Sequence, residues 1–343
     1  MKKILTYFCG FLMIFFVLPV MFSTTKPGEN LIETVATTEQ TENQEQSQQT
    51  VQQEYDYQKY KTIKLLHPST GQVEELNIDE YLYGVVSSEM PASFEVEALK
   101  AQAVVARTYT IYQTSHNEGK HENADMCDDF NCCQAWISKD ERIAKWEPEQ
   151  AENYWNKIVE AVDSTKGKVV AYNGQAINAF FHANSGGKTE SSLNIWGGVD
   201  YPYLKSVETA GEEGYTQYAS EVVLSHQELL SKIQATYQDC QIDFSQQDCI
   251  RIIDYTTSGR VKTIKFGNKE IAGTEARTLL GLKSTNFTFT INNENVTFTV
   301  TGYGHGVGMS QTGADSLAKT GSNYESIIKH FYTDVEIIEV NSL

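Results

Sequence analysis

Positive charge is scarce in this sequence. Lys and Arg number 27 against 45 Asp and Glu, a net charge of −18 over 343 residues. An acidic surface argues against nucleic acid as a partner and against nonspecific adhesion to anionic lipid. It argues equally against an electrostatic grip on an anionic polymer, so a neutral chain would have to be held by aromatics and hydrogen bonds. Nucleotide signatures are missing as well. The stretch Gly302-Tyr303-Gly304-His305-Gly306-Val307-Gly308 lacks the spacing and the parallel βαβ setting of a dinucleotide loop, and no Gly-Lys-Ser/Thr follows it. No internal repeat is visible. What is present is a core-forming stock: 40% hydrophobic residues, with 19 Tyr and 15 Phe.

Lys2 and Lys3 precede an apolar run from Ile4 to Phe22. About twenty such residues span a bilayer as a helix. The alternative is a cleaved signal peptide, but the exit Val20-Met21-Phe22-Ser23-Thr24 lacks a small-x-small site. Residues 1–22 are therefore expected to be a transmembrane anchor, with the lysines inside and the remainder extracytoplasmic. Residues 23–57 are rich in Gln, Glu and Thr and read as a disordered acidic stalk. Residues 58–343 carry apolar periodicity and form the expected catalytic domain.

Within that domain, Asn77 and Glu80 have capping-box spacing and predict a helix that Pro91 ends. Ser93 is a candidate N-cap for a second helix with one apolar face through Leu99, Ala103, Ala106 and Thr110. Lys100 and Arg107, seven apart, share a side of it. A Cys/His-rich loop and a helix near 148–164 follow. Asn173-Gly174 between alternating runs predicts a hairpin. Residues 220–238 read as helix. Strands are expected near 258 and 267, at 287–291, at 296–301 and at 335–340, with helices near 310–319 and 324–331. Helices and hairpins in separate runs give an α+β class with antiparallel or mixed curved sheets and helices around a groove.

Three blocks could carry chemistry. The first is Ser87-Ser88-Glu89-Met90-Pro91, followed by Lys100 to Tyr109. A carboxylic acid beside Val86 and Met90 would be partly desolvated, its pKa raised, and able to protonate a leaving oxygen. The plainer reading is a helix-end glutamate facing water, and pattern alone favours it. The second is His182-Ala-Asn184-Ser185-Gly186-Gly187-Lys188-Thr189-Glu190 with Trp196-Gly197-Gly198. Its small residues allow a close backbone approach to a ligand, or merely form a turn beside a buried histidine. The third is the loop 302–308 with Met309-Ser310-Gln311, whose N–H groups at a helix start suit an anion or a hydroxyl. His305 is a weak candidate base.

Taken in order, these blocks resemble the stage II sporulation protein D family over nearly all of residues 60–340. The resemblance implies a lytic transglycosylase that cuts peptide-stripped peptidoglycan strands during engulfment of the forespore, from the mother-cell membrane. It implies the engulfment amidase (stage II protein P) and the membrane scaffold (stage II protein M) as partners. The family's catalytic glutamate falls on Glu89. Arg107 falls on an arginine taken to line the groove, and Tyr109, Lys100, His182, Ser185, Lys188, His305 and Gln311 are the further substrate-binding positions. Related domains in amidase enhancers leave a rival reading, a wall-binding module without catalysis. A third reading is a zinc hydrolase of stem peptides.

The family often has Cys-x-x-x-His-Cys-Gln where this chain has Cys127-Asp-Asp-Phe-Asn-Cys132-Cys133-Gln134, one residue longer and with Cys132 in the histidine's place. His121, Cys127, Cys132 and Cys133 are the expected ligands of a structural zinc, since four protein ligands leave no open position. His116 is a possible substitute for one of them, and a disulfide from Cys127 is the competing use of these thiols. Cys240 and Cys249 are expected to be bridged.

Overall fold

Asn77 starts the first helix by accepting a hydrogen bond from the Asp79 N–H at 2.9 Å. That helix, α1 (Ile78–Glu89), ends where Met90 turns extended ahead of Pro91. The second helix, α2 (Val96–His116), starts later than Ser93 suggested. Glu95 precedes it, held by its N–H on Asp315 at 2.6 Å. The computed structural model describes residues 55–116 and 119–343. The expected anchor and almost all of the expected stalk lie outside these residues. Among the described residues, no helix is long and apolar enough to cross a membrane.

The stalk boundary moves by three residues. Tyr57 is buried and its hydroxyl donates to Asp79 at 2.9 Å. The Tyr55 ring covers Gly167, where an added Cβ would lie 2.3 Å from it. Residues 55–57 therefore belong to the packed fold.

α2 is the axis of the first of two hydrophobic cores. Residues 101–111 are all buried, rather than one face alone. Helix-period reading suggested a stripe, but α1, the helix Pro148–Asp163, the helices Gln311–Lys319 and Tyr324–Phe331, and the strand Lys168–Tyr172 surround it. Thr108 and Thr110 donate back to the carbonyls four residues earlier. Around this core lie small sheets. β1 (Thr62–His67) pairs antiparallel with β2 (Gln72–Asn77) and parallel with β3 (Met126–Cys127). Lys168–Tyr172 lies between Glu336–Glu339 and Gln175–Ala176. Asn173 and Gly174 take φ of 51° and 74°, so the predicted tight hairpin forms. Its second strand stops early and resumes as Phe181–His182, which pairs parallel with Met309–Ser310.

The second core lies under two antiparallel sheets. Asn295–Thr301 is central to one, between Phe287–Ile291 and Ala219–Ser225. Val261–Phe266 is central to the other, between Ile250–Tyr255 and Lys269–Ala272. The helix expected over 220–238 is corrected here. Residues 219–225 are strand, because Val222 and Val223 fit a pleated half-buried surface. The helix starts only at His226, behind a full capping box of Ser225 and Glu228. Cys240 and Cys249 are buried in this core as free thiols. The expected bridge is absent, and the Cys240 thiol instead donates to the Phe266 carbonyl at 3.7 Å. The α+β class, with mostly antiparallel sheets, is as the sequence predicts.

Candidate active site and metal cluster

Glu89 is the last residue of α1, so its side chain projects where the helix stops. Two groups hold its carboxyl. The Ala135 N–H donates to Oε1 at 2.7 Å, and the Gln311 amide approaches Oε2 at 3.4 Å. Burial raises its pKa above the usual carboxylate value, and these two donors pull it partly back. The groups setting its ionisation are therefore neutral amides. Met90, the next residue, is buried in the first core.

Tyr109 lies near, on α2, its hydroxyl pKa raised first by burial and then by the thiols and Glu89. From Tyr109 an aromatic series leads away. Its ring is 6.0 Å from Phe180 and 6.4 Å from Phe181. Phe180 stands 4.6 Å from Trp196, and Trp196 stands 5.2 Å from His305. Trp196 is 49% exposed and Tyr303 42%. Of the series itself Trp196 is the exposed member, while Tyr109 is buried.

His182 and His305 are adjacent, with ring centroids 5.6 Å apart. Burial, with Arg260 close by, lowers the His182 pKa to about 3, and burial together with His182 pushes His305 well below its usual value. In both, burial disfavours the charged imidazolium. His182 Nδ1 is bonded to the Val307 carbonyl, and the His305 Nδ1 accepts from the Val307 N–H at 3.0 Å. Their part is to shape the glycine loop. Gly308 has φ of 72°, and a Cβ there would lie 1.9 Å from the Phe180 carbonyl oxygen.

Two expected substrate residues are corrected. Arg107 is wholly buried. It donates to the carbonyls of Thr165 at 2.8 Å and Lys168 at 3.3 Å and to Asp79 Oδ1 at 3.3 Å. It closes the end of the helix Pro148–Asp163, because α2 is enclosed there, and lines no groove. Ser185 is also fully buried, with its hydroxyl committed to Glu212 and to Thr209. Lys100 pairs with Glu97 at 2.8 Å, and Lys188 with Glu208 at 3.0 Å. Glu212 was invisible to motif reading. It is buried and receives Ser185 N–H and hydroxyl, Gly187 N–H, Ser310 hydroxyl and Thr312 hydroxyl. It thus ties the second and third sequence blocks together just beside Gln311. Ala135 was equally hidden, since it acts through its backbone.

His121, Cys127, Cys132 and Cys133 converge, with one ligand atom from each lying within 4.8 Å of the others. His121 Nε2 is 3.3 Å from Cys133 Sγ and 3.7 Å from Cys132 Sγ. A tetrahedral zinc with Zn–S of about 2.3 Å spaces its ligands by just under 4 Å, so the donors fit that ion in kind and in position. All three thiols are free. His116 is elsewhere, stacked on Tyr112 with centroids 4.0 Å apart. The cluster adjoins the glutamate through the chain: Cys132-Cys133 run through Gln134, which donates to Thr110 and Tyr81, to Ala135.

This fold and site place the chain in a class defined by comparison. The family model described as SpoIID, stage II sporulation protein, matches residues 66–172, which include Glu89 and the Cys/His cluster. Stage II sporulation protein D of Bacillus amyloliquefaciens is 33% identical over 283 residues, 82% of this chain and 80% of that protein. The protein of the same name from Bacillus subtilis (strain 168) is 33% identical over 282 residues, with the same coverage of both chains. The chain belongs to the stage II sporulation protein D family. It is also similar to the amidase enhancer of Bacillus subtilis, at 31% identity over 73% of this chain and 39% of that protein.

Proposed function

We propose that the chain is a lytic transglycosylase of peptidoglycan, with Glu89 as its one acid/base. The observation that carries this is the Glu89 carboxyl itself. It has a raised pKa and two amide donors, and Tyr109, whose ring begins a series of aromatic contacts, is near enough to feel its charge. A hydrolase would pair a second carboxylate with it, for water or for the anomeric carbon. A lytic transglycosylase needs only one, because the 6-hydroxyl of the sugar is the nucleophile and is already tethered. Protonated Glu89 gives its proton to the glycosidic oxygen as the bond breaks. The carboxylate then takes the 6-hydroxyl proton while that oxygen closes a 1,6-anhydro ring. The Ala135 N–H and the Gln311 amide stabilise the carboxylate formed between the two steps.

The metal in this reading is a structural zinc on His121, Cys127, Cys132 and Cys133. When bound it would fix the loop that presents Ala135. The chain works from the membrane, its anchor within residues 1–22, with the domain extracytoplasmic. There it acts beside the amidase and scaffold of engulfment, on glycan stripped of stem peptides. The amidase-enhancer similarity favours one rival, a wall-binding module that stimulates an amidase without cutting.

The test is to incubate the full chain with peptide-free glycan strands, beside Glu89→Ala, and to weigh the products. A 1,6-anhydro end made only by the native chain is the expected result. Ordinary reducing ends would mean a hydrolase. No cleavage by well-folded protein would favour the stimulating module.

A further inference from the structure

The stretch of chain that follows the cysteine pair is fixed residue by residue. Gln134 is 1% exposed. Its Nε2 donates to the Tyr81 hydroxyl on α1 at 3.0 Å and to the Thr110 hydroxyl on α2 at 2.8 Å. Both of these residues are fully buried, and the Thr110 hydroxyl is oriented by its own bond to the Ala106 carbonyl. Ala135 comes next, with its N–H on Glu89 Oε1 at 2.7 Å. Trp136 and Ile137 then lie against α1 at Gly84. A Cβ at Gly84 would come within 2.2 Å of the Trp136 indole nitrogen and 2.7 Å of the Ile137 carbonyl oxygen. The donor to Glu89 is thus held from both sides, by a side-chain amide before it and by close packing after it.

Packing alone does not account for a glutamine here. Its Oε1 is buried with no hydrogen-bond partner among the described residues. A half-satisfied buried amide stabilises a core less than an apolar side chain of the same shape. Methionine would fill that space, but it could not bond to two helices through one donor group. We infer that Gln134 is a positioning residue for Glu89: bonded to α1 and α2, it holds the Ala135 N–H on the Glu89 carboxyl.

The consequence for catalysis rests on the reading of Glu89 as the acid/base. A peptide N–H aimed at one carboxyl oxygen favours the carboxylate over the acid. Once Gln134 lets go, Glu89 stays buried but loses the closer of its two donors, and the Gln311 amide at 3.4 Å remains. Its proton is then held more tightly, and the carboxylate that forms between the two steps is less stable. A merely structural role for Gln134 predicts the reverse. Loosening the core would admit water to Glu89 and bring its pKa down towards the ordinary carboxylate value, because burial is the largest cause of its elevation. The sign of the change separates the two.

The experiment follows the Glu89 carboxyl directly. The full chain, labelled with carbon-13 at its glutamate carboxyl carbons, is titrated by NMR, and the Glu89 signal is the one that Glu89→Gln removes. In Gln134→Met, which keeps the length and volume of the side chain, the Glu89 midpoint is expected to rise by about one pH unit or more, as the loss of a hydrogen bond to a charged group requires. Tyr81→Phe deletes a single oxygen and with it one of the two anchors, so it is expected to raise the midpoint by less. A midpoint that stays or falls in Gln134→Met, or in Tyr81→Phe should Gln134→Met fail to fold, would overturn the inference. No glycan is cut in this titration, so a failure of the transglycosylase reading would show only in the product analysis.

Discussion

Replacing Arg107 by alanine should destroy the domain's stability rather than its grip on substrate. The guanidinium is wholly enclosed and satisfies three acceptors at the end of the helix Pro148–Asp163: the carbonyls of Thr165 and Lys168, and more distantly that of Val162 at 3.4 Å. It also faces Asp79, which is 7% exposed and is otherwise held by the Tyr57 hydroxyl. Alanine leaves a buried carboxylate without its cation and carbonyls without donors. Breaking a buried pair in this way costs about 3–5 kcal/mol. For a domain of this size that lowers the melting temperature by about 5–10 °C. The assay is a thermal melt of native and Arg107→Ala chains, alongside glycan binding measured well below both transitions. Asp79→Ala should show a similar loss, and the double variant should lose less than the sum of the two. An Arg107→Ala chain that melts with the native protein but fails to bind glycan would refute the reasoning and return Arg107 to the groove.

Glu89 titrates in the opposite sense from a stabilising ion pair. Its folded pKa lies above the unfolded value, so its contribution to stability is complete below the unfolded pKa and is lost as pH rises through the folded one. Glu89→Gln should therefore melt at or above the native chain near neutral pH, with the gap closing in acid, while activity is lost at every pH. Activity of the native chain should fall on the alkaline side, as the acid form is depleted. Gly308→Ala should cost about 2–4 kcal/mol in a denaturant titration, since the residue combines positive φ with a backbone oxygen in the way. Stripping metal with a chelator should lower the melting temperature, and added zinc should restore it; Cys127→Ser should abolish the restoration.

Much of the framework was legible because it rests on local rules. Asn77, the Met90-Pro91 stop and Asn173-Gly174 each fix the backbone within a few residues, and each is found where the pattern put it. The convergence of His121, Cys127, Cys132 and Cys133 was readable for the same reason, since one imidazole and three thiols are crowded into a short stretch of chain. What was not legible depends on distance along the chain. Arg107 looked like a groove residue because nothing local reveals that the carbonyls of residues 162–168 fold over it. The strand Ala219–Ser225 was read as helix because its partner is Asn295–Thr301, far along the sequence. Ala135 and Glu212 could not be found from motifs at all, since one acts through its peptide N–H and the other from inside the protein.

The groups around the Glu89 carboxyl come from three distant places, at positions 89, 135 and 311. The two ends of the fold are likewise clasped, for Asn341 accepts from the Gln58 N–H and donates to the Asp56 carbonyl. A chain emerging N-terminus first therefore carries its acid long before it has the residue that faces it. The second donor to the Glu89 carboxyl, Gln311, arrives only with the last tenth of the polypeptide, so on the proposed reading a copy truncated before it would lack a complete site.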